Sequence, residues 1–80
     1  MHAEGYKEKD VVQVTRALKA EDVHRGGAVN VSSGEEGTVV RGEPGDNEYD
    51  VEFIFNSGRG LYRAVLIVKA EDLALVERWR

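Results

Sequence analysis

The chain has 80 residues and a mass of 8.9 kDa, the size of one domain that buries roughly 60 to 65% of its unfolded surface. Its 41% hydrophobic content is enough for a packed core and excludes a disordered chain. A formal net charge of -4 weighs against phosphate backbones, the lack of cysteine excludes a disulfide framework, and no apolar run approaches the roughly 20 residues of a membrane-spanning helix.

Residues 1–9 are polar and without pattern, and are expected to form a flexible segment with Tyr6 as its one anchor, ahead of a single domain over residues 10–80. The start lacks the apolar region of a secretory signal, so a cytoplasmic location is the expectation. From Val11 to Leu18 the run VVQVTRAL alternates and is rich in β-branched side chains, whose stiffness suits a pleated surface; it reads as the first strand. The stretch from Lys19 to Gly37 is punctuated by Gly26, Gly27, Gly34 and Gly37 with Ser32 and Ser33, and reads as a long folded-over loop. A second strand, Thr38 to Arg41, ends at a turn from Gly42 to Asn47, where Pro44 fixes φ and Gly45 permits a positive one.

The stretch that organises the chain follows. Tyr49, Val51, Phe53 and Phe55 alternate with Glu48, Asp50, Glu52 and Ile54, so a strand here has one apolar face and one mostly acidic face. A glycine-rich hairpin loop, Asn56 to Gly60, leads into a partner strand from Leu61 to Val68. Pairing Tyr49, Val51 and Phe53 with Val68, Leu66 and Ala64 fills a core and leaves Val65 and Ile67 outside beside Ile54. Leu73, Val76 and Arg80 also fit helical spacing, so the last segment reads as helix or strand; its shortness favours a single helical turn at Ala70 to Leu73 followed by a short strand toward Trp79.

Two pentapeptides look alike: Lys19-Ala20-Glu21-Asp22-Val23 and Lys69-Ala70-Glu71-Asp72-Leu73. A duplication would explain them; so would two chain reversals that use the same turn chemistry, and the unlike flanking sequence favours the second.

Five short strands, a long first loop and a one-turn helix before the last strand outline an all-β, SH3-like barrel. Gly37-Thr38-Val39-Val40 followed by Tyr49-Asp50-Val51-Glu52-Phe53, then Gly58 and Glu71-Asp72-Leu73, resembles a family of small uncharacterised bacterial proteins, over about Val11 to Val76. More distantly the pattern is similar to KOW domains and to the C-terminal barrel of the nitrile hydratase β subunit. The resemblance implies the barrel and carries over no functional residue. KOW domains contact RNA with basic loops, whereas the matching loops here hold Glu35, Glu36, Glu43 and Asp46. Peptide-binding SH3 domains line their groove with aromatics, and this chain has Ala17-Leu18-Lys19-Ala20-Glu21 at the corresponding place.

Nothing in the chain assembles a catalytic set. His2 and His24 lack the partners of a zinc cage, and Ser32-Ser33-Gly34-Glu35-Glu36-Gly37 runs into a strand rather than a helix, unlike a phosphate-cradling loop. Glu48, Asp50 and Glu52 form a candidate acidic face, but same-face neighbours on a strand stand roughly 6.8 Å apart, too far to share a proton. Arg41, Arg63 and Lys69 are placed to balance them. The feature that asks for an explanation is Ala64 to Val68, apolar on both faces. Either the N-terminal segment, through Tyr6, or a loop covers Val65 and Ile67, or they meet another molecule. The expectation is therefore a non-catalytic interaction or assembly module that binds protein, with a homodimer through Ile54, Val65 and Ile67 and with Trp79 as their neighbour. No cofactor is implied. The alternatives are a nucleic-acid-associated domain of KOW type and an accessory subunit of an enzyme.

Overall fold

The computed structural model describes residues 5–80. Seven strands follow in order: β1 (Val11–Val14), β2 (Leu18–Asp22), β3 (Ala28–Val31), β4 (Glu36–Arg41), β5 (Glu48–Ser57), β6 (Gly60–Lys69) and β7 (Leu73–Glu77). One 3-10 turn, Ala70–Asp72, precedes β7 and is the only helical element among the described residues. Among the described residues no helix is long and apolar enough to cross a membrane. All pairings are antiparallel, in the order β3-β2-β6-β5-β4-β1-β7. Val31 of β3 and Leu73 of β7, from opposite ends of that order, belong to one hydrophobic cluster, so the sheet curls around a single core.

The all-β class and the late 3-10 turn are as expected; the number of strands is not. The stretch read as a long loop folds as the β2–β3 hairpin, with Leu18 opposite Val31 and Ala20 opposite Val29. Its inward residues Ala20 and Val31 are buried while Lys19, Glu21 and Asn30 face out. So small an apolar contribution suits an edge hairpin, and the same feature hides it in the sequence. The first strand is correspondingly shorter and stops at Val14. Beyond it the Thr15 N–H donates to the Asp72 carbonyl, and the Arg16 guanidinium grips the Asp72 carboxylate through Nε at 2.8 Å and Nη2 at 3.1 Å. That clamp turns the chain away from β7 and into β2.

The alternating strand carries the core. Tyr49, Val51 and Phe53 stand opposite Val68, Leu66 and Ala64, and all six are buried. Beyond Glu52 the register gives β5 no partner but β6, so residues 53–57 and 60–64 project as a two-stranded arm. Ten-residue strands at about 3.4 Å per residue reach about 34 Å, which accounts for most of the 43 Å long axis. An aromatic series, Phe53, Phe55 and Tyr62, with ring centroids 5.8 and 5.4 Å apart, extends the core under the arm.

Residues 5–9 are tied down where fraying was expected. The Tyr6 ring meets Tyr49 edge-on at 5.3 Å, its hydroxyl donates to the Leu73 carbonyl, and its N–H donates to the Tyr49 hydroxyl. Burial, and secondarily Tyr49, pushes the Tyr6 phenol above its ordinary 10.0. Tyr6 therefore closes the core beside β7 and does not cover Val65 or Ile67. Residues 1–4, including His2, lie outside the described residues.

The two similar pentapeptides adopt different structures. Lys19 to Asp22 is strand, whereas Ala70 to Asp72 is the 3-10 turn. Asp72 pairs with Arg16, while the Asp22 carboxylate accepts the His24 and Arg25 N–H groups at 2.9 and 3.1 Å, closing the β2–β3 turn. Shared letters here serve two unrelated backbones. The Asp22 hydrogen bonds, that of His24 first, hold its carboxyl below its ordinary 3.8 against the opposing effect of desolvation. A depressed carboxyl stabilises the fold above its unfolded pKa and loses that contribution as pH falls through the folded one. The His24 and Arg25 amide resonances are therefore expected to titrate with a midpoint below 3.8; a midpoint at or above that value would contradict the turn assignment.

Candidate functional site

The outer face of the β5–β6 hairpin is built by strand parity. With Tyr49, Val51 and Phe53 committed to the core, Glu48, Asp50, Glu52 and Ile54 must point the other way, as must Lys69, Ile67, Val65 and Arg63 opposite them. The structure thus brings Ile54, Val65 and Ile67 onto one face. Val65 and Ile67 are half-buried, Ile54 is 56% exposed, and it lies diagonally from Val65 with Arg63 as its direct cross-strand neighbour. Ile67 stands between Asp50 on β5 and Glu21 on β2, and Val65 stands between Glu52 on β5 and the turn residue Val23, whose N–H donates to the Val65 carbonyl.

The acidic residues of this face are distributed among cations and neutral groups. Glu48 is opposite Lys69, Asp50 is between Arg41 and Ile67, and Glu52 is between Thr38 and Val65. Arg63 Nη1 comes within 3.8 Å of Glu52 Oε2, a long ion pair whose arginine is 71% exposed. No two of the three carboxylates are cross-strand neighbours, so the face has neither a shared-proton pair nor a chelating arrangement. Among the described residues no cluster of three or more histidine and carboxylate side chains could hold a metal ion. His24 is an exposed turn residue.

Trp79 lies elsewhere on the same sheet face. A cross-strand row runs Val11, Thr38, Glu52, Val65, and Trp79 borders a groove of about 490 Å³ over Val11 and Thr38, together with Lys9, Arg78 and Arg80. It is thus two strands removed from Val65 and is no direct neighbour of the isoleucines. The Lys9 ammonium sits 5.1 Å from the indole centroid, a cation–π contact. The fully buried Asp10 holds this arrangement together. It accepts hydrogen bonds from the N–H groups of Lys7 at 3.1 Å and Trp79 at 2.9 Å, and from Arg78 Nη1 at 3.1 Å.

Three residues of these surfaces escape the sequence reading. Leu61, 72% exposed, shares the outer face with Arg63 and Val65, and parity counted back from Val65 would have placed it there. Lys9 and Asp10 have no such signal, because their roles depend on the C-terminal residues crossing back over β1. Comparison of the chain with protein-family models, with curated proteins and with solved structures found no match.

Proposed function

We propose that this protein is a non-catalytic interaction module of SH3-like architecture that self-associates through the outer face of the β5–β6 hairpin. The observation that carries the reading is Ile54, Val65 and Ile67 on one face of a ribbon whose other face already fills the core, with Ile54 exposed and Val65 and Ile67 half-buried on the single chain. Aliphatic groups at the middle of a face, with charged residues around them, are the anatomy of a protein contact. The order of elements, with a 3-10 turn before the last strand, supports the SH3-like reading, and the acidic balance favours protein over nucleic acid.

Light scattering on the wild type and on Val65→Asp plus Ile67→Lys tests this. The wild type is expected to have the mass of a dimer at high micromolar concentration, and the double variant that of a folded monomer. A monomeric wild type, or a double variant that keeps the dimer mass while folded, would overturn the assignment.

A further inference from the structure

The outer face of the β5–β6 hairpin is polar along its length. One end carries Glu48, Asp50 and Glu52 with Lys69 among them, and so stays net acidic; toward the other come Ile54, Arg63 and Leu61. Residues 53–64 contain Arg59 and Arg63 and no carboxylate, a formal charge of +2 on a chain whose total is -4. The remainder of the chain therefore carries -6.

A ribbon with separated charges and an apolar middle is complementary to a reversed copy of itself. We infer, resting on the self-association just proposed, that the partner is a second copy packed face to face. The two-fold axis lies in the interface along the hydrogen-bonding direction, between the Glu52–Val65 row and the Ile54–Arg63 row. That axis reverses the strand direction, so the arm of each copy lies over the acidic base of the other. An axis along the strands would keep every row over itself, laying the acidic base on the acidic base and the arm on the arm, which brings blocks of like net charge together.

The register follows from the rows, which are spaced by about 6.8 Å, two residues of strand. The row Asp50–Ile67 of one copy faces the row Asn56–Leu61 of the other, and the row Glu52–Val65 faces Ile54–Arg63. In this arrangement β5 lies over β5 and β6 over β6, so Leu61 covers Ile67 of the second copy, Ile54 lies over its Glu52 and Arg63 over its Val65, from where the guanidinium reaches one strand sideways to that Glu52. Sheets packed face to face stand about 10 Å apart, within the combined reach of arginine and glutamate. The arrangement explains why Leu61 is left 72% exposed on the single chain, and why Arg63 holds its own Glu52 only at 3.8 Å.

The test is a charge exchange. Arg63→Glu and Glu52→Arg each place like charges at both symmetric contacts of a homodimer, whereas a mixed dimer restores both attractions. Sedimentation velocity is expected to show self-association of each variant weakened by at least about tenfold, and a one-to-one mixture sedimenting as a dimer. Circular dichroism identical to wild type establishes that the variants fold. Leu61→Asp is expected to be monomeric as well. If the variants dimerise like wild type, or the mixture associates no better than its parts, this register is wrong. If the Val65→Asp plus Ile67→Lys protein is then still monomeric, the face stands and only its alignment falls; if wild type itself is monomeric, both fall together.

Discussion

Asp10→Ala is expected to destabilise the protein by about 3 kcal/mol and to release Trp79 from its groove. The carboxylate is fully buried, and its removal strands the N–H groups of Lys7 and Trp79 and the Arg78 guanidinium. Arg78 is the least costly of the three, because its side chain is 39% exposed and can take up water. The two backbone donors lose their acceptor beside the core. In a domain of this size each kcal/mol corresponds to roughly 4–8 °C in Tm, so a fall of more than about 12 °C is expected. Trp79 is the chain's one tryptophan, which makes its emission a direct reporter. A red shift below the unfolding transition is the expected sign of release. An Asp10→Ala protein within about 0.5 kcal/mol of wild type, with unshifted emission, would show that the carboxylate is not what ties the two ends of the chain.

Gly42→Ala is expected to cost about 3 kcal/mol or more, against about 1 kcal/mol for Gly45→Ala in the same turn. Both glycines have positive φ, +141° and +96°, so both substitutions strain the backbone. They differ in surroundings. A Cβ on Gly42 would lie 2.9 Å from Tyr49 Cε1 and closer still to Cδ1, while one on Gly45 meets nothing within 4 Å. Tyr49 cannot swing aside, being buried and held by its hydroxyl, which donates to the Glu43 carbonyl at 2.9 Å and accepts the Tyr6 N–H at 3.0 Å. Urea denaturation of the two variants separates clash from strain. Equal losses would mean that the Tyr49 ring does not seat against Gly42.

How much of this structure is legible in the letters depends on how strongly each strand is driven. Tyr49 to Phe53 alternates without a break, and the tight turn from β5 to β6 fixes the partners, so the pairing of Val51 with Leu66 follows from sequence alone. The β2 strand also alternates, but its inward residues are Leu18, Ala20 and Asp22. An aspartate at an inward position reads as a turn until its two backbone donors are seen. Gly26 and Gly27, with φ of +77° and +83°, mark the reversal between β2 and β3 and were readable as punctuation, though not as the tip of a hairpin. The outer face of β5 and β6 was legible by parity, Leu61 included. The groove at Trp79 was not, because Lys9, Thr38 and Trp79 are distant in sequence and only the return of the chain past Asp10 gathers them.

Whether the face carrying Ile54 and Ile67 is where this chain meets its copy can be read from two resonances. The chain has only two isoleucines, and both lie on that face. With selective labelling of isoleucine δ1 methyl groups, both signals are expected to move together through a dilution series that follows the change in mass. A sample mixed from labelled and unlabelled chains is expected to show contacts from the Ile67 methyl to a leucine of the other copy. A mass that changes with concentration while both isoleucine signals stay fixed would place the contact elsewhere, such as the open edges of β3 or β7, and contradict the account.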